Sequence, residues 1–197
     1  VDEAAAANTY VMAHAYTARA IRRAIECGVR TIEHGNLVDA DTARLMAEKG
    51  AFAVPTQVTY EMLAQYGERF GLPADSVAKI EDVRQAGRNA LLLFAEAGVP
   101  MGYGSDLLGE MHEYQSHELK IRAELLGNLA ALRSATSVAA QILQREGELG
   151  CIAAGAQADL LVVDGDPLTD IDCLVGQGEH LAMIFQNGHI RKNTLEQ

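Results

Sequence analysis

The chain has 197 residues, 49% of them hydrophobic, and a formal net charge of −11. That length supports a sizeable core. The acidity disfavours nucleic acid, whose phosphates call for clustered Lys and Arg, and no apolar run reaches the roughly 18 residues that span a bilayer. Cys27, Cys151 and Cys173 are odd in number, widely spaced and without a CxxC pair. They read as reduced, mostly packing residues in a cytoplasmic setting, not as a disulfide framework or a zinc finger. The opening VDEAAAANTY is neither a signal nor a transit peptide, and it is expected to have been cut from something longer.

In chain order, Tyr10 to Ala13 is a short apolar run that ends at His14. Thr17 to Cys27 carries Ala18, Ile21, Ala24 and Ile25 at helical spacing, and Gly28 stops it. Val29 to Glu33 predicts a second strand delivering His34 and Gly35. Asp39 or Asp41 caps a helix running to Lys49, and Ala51 to Val54 is a third strand closed by Pro55. Helices are expected over Val58 to Phe70 and Ser76 to Ala97, the latter with Gly87 as a weak point. Val99 to Gly104 predicts a fourth strand leading to Ser105 and Asp106, followed by helices over Ser116 to Leu126 and Asn128 to Gln144.

Strand and helix alternating through short loops is the pattern of a parallel sheet with crossovers. Such folds place their chemistry just past the carboxyl ends of the strands. The last third differs. Asp159 to Asp164 is a strand, and Leu181 to Phe185 and His189 to Arg191 flank Asn187-Gly188, a hairpin signal. A small β element is therefore appended to the α/β part.

His14, His34 and Asp106 each follow a predicted strand in a different unit. If the strands neighbour one another, two imidazoles and a carboxylate converge. That set suits zinc or a similar divalent ion, with a carboxylate at hand to shuttle a proton. On spacing alone, a lone His after a strand is more often an ordinary hydrogen-bonded structural residue. Ser105 has no nucleophile motif around it and reads as orienting Asp106 or capping its loop. His112 and His117 read as exposed histidines near a helix start, Glu110 and Glu113 as solvated, and His180 and His189 as structural.

The segments VMAHAYT, TIEHGN and GYGSDLLGE, followed by GCIAAGAQADLLVVDGDPL, resemble the amidohydrolase superfamily, and its prolidase-like branch in particular. The likeness covers essentially the whole chain. It implies an α/β fold: the C-terminal half, strands five to eight, of a TIM (β/α)8 barrel over residues 1–145. Residues 146–197 are then the C-terminal part of a small β-sandwich. By position, His14 and His34 are implied as ligands of one metal of a pair. Asp106 is implied as ligand of the other and as the catalytic proton carrier, and Tyr16 as a substrate-binding residue whose phenol meets a substrate carboxylate. The cofactor implied is a divalent metal, zinc, binuclear in the intact enzyme. The family's HxH pair and bridging lysine cannot be assigned to any residue of this sequence, so the chain alone is expected to be inactive.

The expected activity is hydrolysis of the amide bond in Xaa-Pro-like dipeptides or N-acyl amino acids, with a small-molecule partner, no nucleic acid, no membrane, and a homo-oligomeric assembly. Two alternatives stand beside it. A mononuclear-zinc deaminase would carry a glutamate three residues after the first histidine, where Thr17 stands. A non-catalytic half-barrel would leave parallel-strand edges uncovered.

Overall fold

In the computed structural model, which describes residues 1–195, strand and helix alternate as the apolar periodicity requires. The chain forms two compact units, Val1–Tyr114 and the part from Gln115 onward. The first opens on a short helix α1 (Asp2–Ala6). It continues through β1 (Met12–Thr17), α2 (Ala18–Glu26), β2 (Thr31–Leu37), α3 (Ala40–Glu48), β3 (Phe52–Val54), α4 (Gln57–Tyr66) and α5 (Ala74–Ala97). The three strands pair in parallel, in the order β1-β2-β3.

Side chains alternating inward from the strands meet the apolar stripes of the helices. Ala15, Ile32 and Ala53 pack with Ile21 and Ile25 of α2, Met46 of α3 and Phe94 of α5 in one buried cluster. Capping sets the helix starts. Thr17 accepts a hydrogen bond from the Ala20 amide at 3.3 Å, and Asp39 from the Thr42 amide at 2.8 Å. Gly98, in the left-handed conformation, ends α5.

Several sequence expectations shift. β1 and β2 extend beyond the predicted runs, so His14 and His34 lie inside strands and not after them. Backbone pairing continues through both histidines, which local hydrophobicity does not report. The predicted fourth strand reduces to one parallel bridge, Ala53 to Met101. The Ala53 amide donates to the Pro100 carbonyl and the Gly102 amide to the Ala53 carbonyl. Pro100 lacks an N–H, and two glycines follow within four residues, which weakens further pairing.

In the second unit, α6 (His117–Leu126) is as expected, but the helix predicted over Asn128 to Gln144 is broken into α7 (Asn128–Ala135) and α8 (Ser137–Ile142). The break is at Thr136, whose hydroxyl donates back to the Leu132 carbonyl at 2.7 Å and competes with the ladder. The β element is antiparallel: β4 (Leu160–Val163) pairs with β5 (Leu181–Gln186), and β5 with β6 (His189–Asn193). Asn187 and Gly188 both take positive φ in the hairpin turn. Among the described residues no helix is long and apolar enough to cross a membrane. The cysteines are all free, but Cys27 and Cys151 are exposed, so only Cys173 is a packing residue where most of the three were expected to be. Cys27 caps α2 at the surface and Cys151 lies in a loop, positions where no core reaches the thiol.

Candidate active site

Period-two alternation on β1 buries Ala15 and turns its neighbours His14 and Tyr16 to the opposite, open face. β2 presents His34 to that same face through an irregularity. Ala15 pairs with His34 but Thr17 pairs with Leu37, so β2 carries one extra residue opposite Tyr16. A bulge of this kind re-aims a side chain. It is built from two consecutive left-handed residues, His34 (φ 72°) and Gly35 (φ 69°). A Cβ on Gly35 would come within 2.8 Å of the Phe94 ring, so glycine is required there on two counts.

The result brings His14 Nδ1 to 2.7 Å from His34 Nε2. At that distance the two ring nitrogens share one proton; as ligands of one tetrahedral zinc they would stand about 3.3 Å apart, a small further separation. The other His34 nitrogen, Nδ1, lies 2.9 Å from the Thr56 hydroxyl and 4.0 Å from the Asp106 carboxylate. Tyr16 stacks on the His34 ring, centroids 4.8 Å apart. His34 is buried, and burial pushes its imidazole below the ordinary value. The Asp106 charge pulls back upward and His14 pushes further down. The net effect favours neutral imidazole, the form a metal ligand needs.

Asp106 also takes positive φ, 50°. Its carbonyl accepts a hydrogen bond from the Thr59 hydroxyl at 2.6 Å. Gly104 lets the chain approach closely on the way in, because a Cβ there would meet Val54 Cγ1 at 2.8 Å. His14, Tyr16, His34 and Asp106 are therefore all brought together. Ser105 takes no part in these contacts. Thr17 accepts the Ala20 amide at the α2 cap, and its hydroxyl does not ionise as the glutamate of a deaminase would at that position.

Sequence reasoning missed the segment Pro55-Thr56-Gln57-Val58-Thr59-Tyr60. Thr56 stands at the N-cap of α4, yet its hydroxyl makes no cap; it serves His34. Tyr60 donates to the Tyr16 hydroxyl at 2.9 Å. Positions 56, 59 and 60 have i, i+3, i+4 spacing, one helical face, and that face touches His34, Asp106 and Tyr16 in turn. A polar i, i+3, i+4 triplet directly after a strand-ending proline was the available signal. Glu33, whose Cα pairs with that of His14, was also passed over. Burial raises its carboxyl, against smaller lowering effects of Thr31 and His14.

Among the described residues no group of three or more His, Cys, Asp or Glu is placed to hold a metal ion. What the geometry offers is a pair of imidazole nitrogens facing each other at 2.7 Å, with a carboxylate 4.0 Å from the far nitrogen of one of them. The outer nitrogen of His34 is braced in the way metal-bound histidines are.

The sequence matches the Amidohydrolase family over residues 1–190. The chain belongs to this family. A crystallised prolidase complexed with N-methylphosphonate-L-proline superposes on this amidohydrolase with a TM-score of 0.95. The two are 62% identical, over 98% of this chain and 47% of that one. A crystallised Xaa-Pro dipeptidase with bound methionine is 29% identical, with a TM-score of 0.87 over 98% of this chain and 47% of that one. Ochratoxinase from Aspergillus niger is 30% identical over 173 residues, 87% of this chain and 36% of its own length. The amidohydrolase chain thus spans about a third of that relative and just under half of the crystallised ones, and its likeness runs to the prolidase-like branch.

Proposed function

We propose that this chain is the C-terminal half of a (β/α)8-barrel hydrolase, residues 1–145 contributing barrel and 146–197 β-sandwich. The intact enzyme cleaves the amide bond of Xaa-Pro-like dipeptides or N-acyl amino acids. The observation that carries the reading is the approach of His14 Nδ1 to His34 Nε2 at 2.7 Å, with the Asp106 carboxylate 4.0 Å from the same His34 ring. The similarity to a prolidase and an Xaa-Pro dipeptidase supports the substrate class.

His14 and His34 would hold one divalent ion, expected to be zinc. Asp106 would serve a second, with the remaining ligands from outside these residues. When bound, the metal supplies Lewis acidity and water that is acidic near neutral pH. Asp106, half exposed, accepts the proton of the attacking water and returns it to the leaving nitrogen. Tyr16 offers its phenol to the substrate carboxylate, and its ring closes the open side of His34. We expect the full-length protein to act as a homo-oligomer.

The test is turnover by the full-length protein against Xaa-Pro dipeptides, N-acyl amino acids and cytosine-like bases. Amide substrates should be cleaved and the bases left intact. Asp106→Asn should lower kcat by about 10²- to 10⁴-fold, the range of general acid–base catalysis, while the melting temperature stays close to the parent's. Near-native turnover in that variant refutes the assignment.

A further inference from the structure

Hydroxyl groups give direction to a hydrogen-bond chain, because each has one proton to donate. Such a chain runs from His34 to Tyr16. His34 Nδ1 meets the Thr56 hydroxyl at 2.9 Å, Thr56 hydrogen-bonds the Tyr60 phenol, and Tyr60 donates to the Tyr16 oxygen at 2.9 Å. Thr56 and Tyr60 are both buried, so water does not interrupt the chain or supply other partners cheaply. Tyr16, at its end, is 39% exposed.

The direction follows from one end. His34 Nε2 faces His14 Nδ1. When His34 keeps its Nε2 lone pair for a shared cation, its proton sits on Nδ1 and is donated to Thr56. The Thr56 proton then goes to Tyr60, and the Tyr60 proton to Tyr16. Tyr16 already accepts one hydrogen bond, so its own proton is left to point outward. A reversed chain would turn the Tyr16 proton inward and present only oxygen lone pairs, which repel a carboxylate.

We propose that Tyr60 is a positioning residue, the middle of a one-directional hydrogen-bond chain that aims the Tyr16 proton at the carboxylate of the incoming substrate. The proposal rests on the reading of Tyr16 given above and goes beyond it, since it makes carboxylate recognition depend on a residue that never touches substrate. Burial, first, and the bond to Tyr16 hold the Tyr60 phenol far above its ordinary value, so it remains a donor throughout the neutral range.

The experiment compares L-proline with L-prolinamide as ligands of the full-length protein by calorimetry, alongside KM and kcat for an Xaa-Pro dipeptide. One net hydrogen bond corresponds to about a fivefold change. Tyr60→Phe should weaken proline about fivefold, leave prolinamide within twofold, and raise KM more than it lowers kcat. Tyr60→Met, which refills the apolar volume without a hydroxyl, is the second variant should the first fold poorly. In a Tyr16→Phe background, either change at position 60 should add less than twofold. If Tyr16→Phe removes the preference for proline but Tyr60→Phe retains it, the chain is overturned and the Tyr16 reading stands. Equal weakening of both ligands by Tyr60→Phe also overturns it, as a merely structural effect. If Tyr16→Phe leaves the preference intact, the Tyr16 reading fails and takes the proposal with it.

Discussion

Replacing Gly87 by alanine should destabilise the protein, against the usual rule for a glycine inside a helix. Propensity alone predicts a gain of about 0.8–1 kcal/mol. Gly87 lies within α5, and a Cβ there would come within 2.2 Å of Gln57 Oε1 and 2.6 Å of Asn36 Nδ2. Both amides are buried and pinned to the same helix: Gln57 Nε2 donates to the Arg84 carbonyl at 2.7 Å, and Asn36 Nδ2 to the Val83 carbonyl at 3.5 Å. Overpacking costs about 1–3 kcal/mol. Displacing the Gln57 amide strands a buried polar group at about 1–3 kcal/mol more. Subtracting the propensity gain leaves a net loss of about 3 kcal/mol, or a fall of roughly 1.5 M in the urea midpoint. Asn89→Ala, on the exposed side of α5, is the control and should stabilise by a few tenths of a kcal/mol. Pairing Gly87→Ala with Gln57→Ala should recover part of the loss, as coupled neighbours do. A raised midpoint in Gly87→Ala alone would refute the notch.

Thr56→Val should weaken divalent-metal retention by about 10- to 100-fold, the usual effect of removing a brace from a ligating histidine; competition against a chelator reads it, and unchanged retention would remove Thr56 from the site. Asp39→Ala should cost about 1 kcal/mol as a lost helix cap. The Thr42 hydrogen bonds hold the Asp39 carboxyl below its ordinary value, so this contribution is fully present above about pH 4 and is lost as pH falls through the lowered folded value. The stability gap between parent and variant should therefore close in acid, and a gap that widens there would contradict the assignment.

The alternation of apolar runs with capped helices made the parallel α/β order of the first unit legible, because Thr17, Asp39, Gly50 and Gly98 punctuate it with ordinary chemistry. The hairpin at Asn187-Gly188 was equally legible from its turn residues. What composition could not show was pairing that ignores hydrophobicity. β1 and β2 run on through two histidines because a neighbouring strand satisfies their backbone. The run at Val99, apolar enough for a strand, stops at a single bridge because Pro100 has no amide to give. At the site, the histidines and Asp106 stood out as chemistry after apolar runs. Thr56, Thr59 and Tyr60 did not, since a threonine or tyrosine in an amphipathic helix reads as filler until its partner's position is known. The same holds for Gly87, which reads as a helix defect until Gln57 and Asn36 are seen beside it.

These overlooked residues form a connected support for a strained site. His34 and Asp106 are both held at positive φ, a conformation that costs of order 1–3 kcal/mol per residue and persists only where surroundings over-determine it. The first turn of α4 does so, through Thr56 on the His34 ring and Thr59 on the Asp106 carbonyl. That turn is in turn fixed to α5 by Gln57, which fits only because position 87 has no side chain. Asn36, two residues past His34, locks β2 to the same notch. Strain at the histidine and the carboxylate is thus opposed by contacts that converge on one glycine some fifty residues along the chain from His34. Loosening that point should relax both left-handed residues before the sheet itself gives way, because the buried cluster beneath them draws on Ile21, Ile32, Met46 and Phe94 and not on the α4 turn. The notch at Gly87 accordingly serves both the geometry of the site and, through the buried Gln57 and Asn36 amides, the stability of the fold.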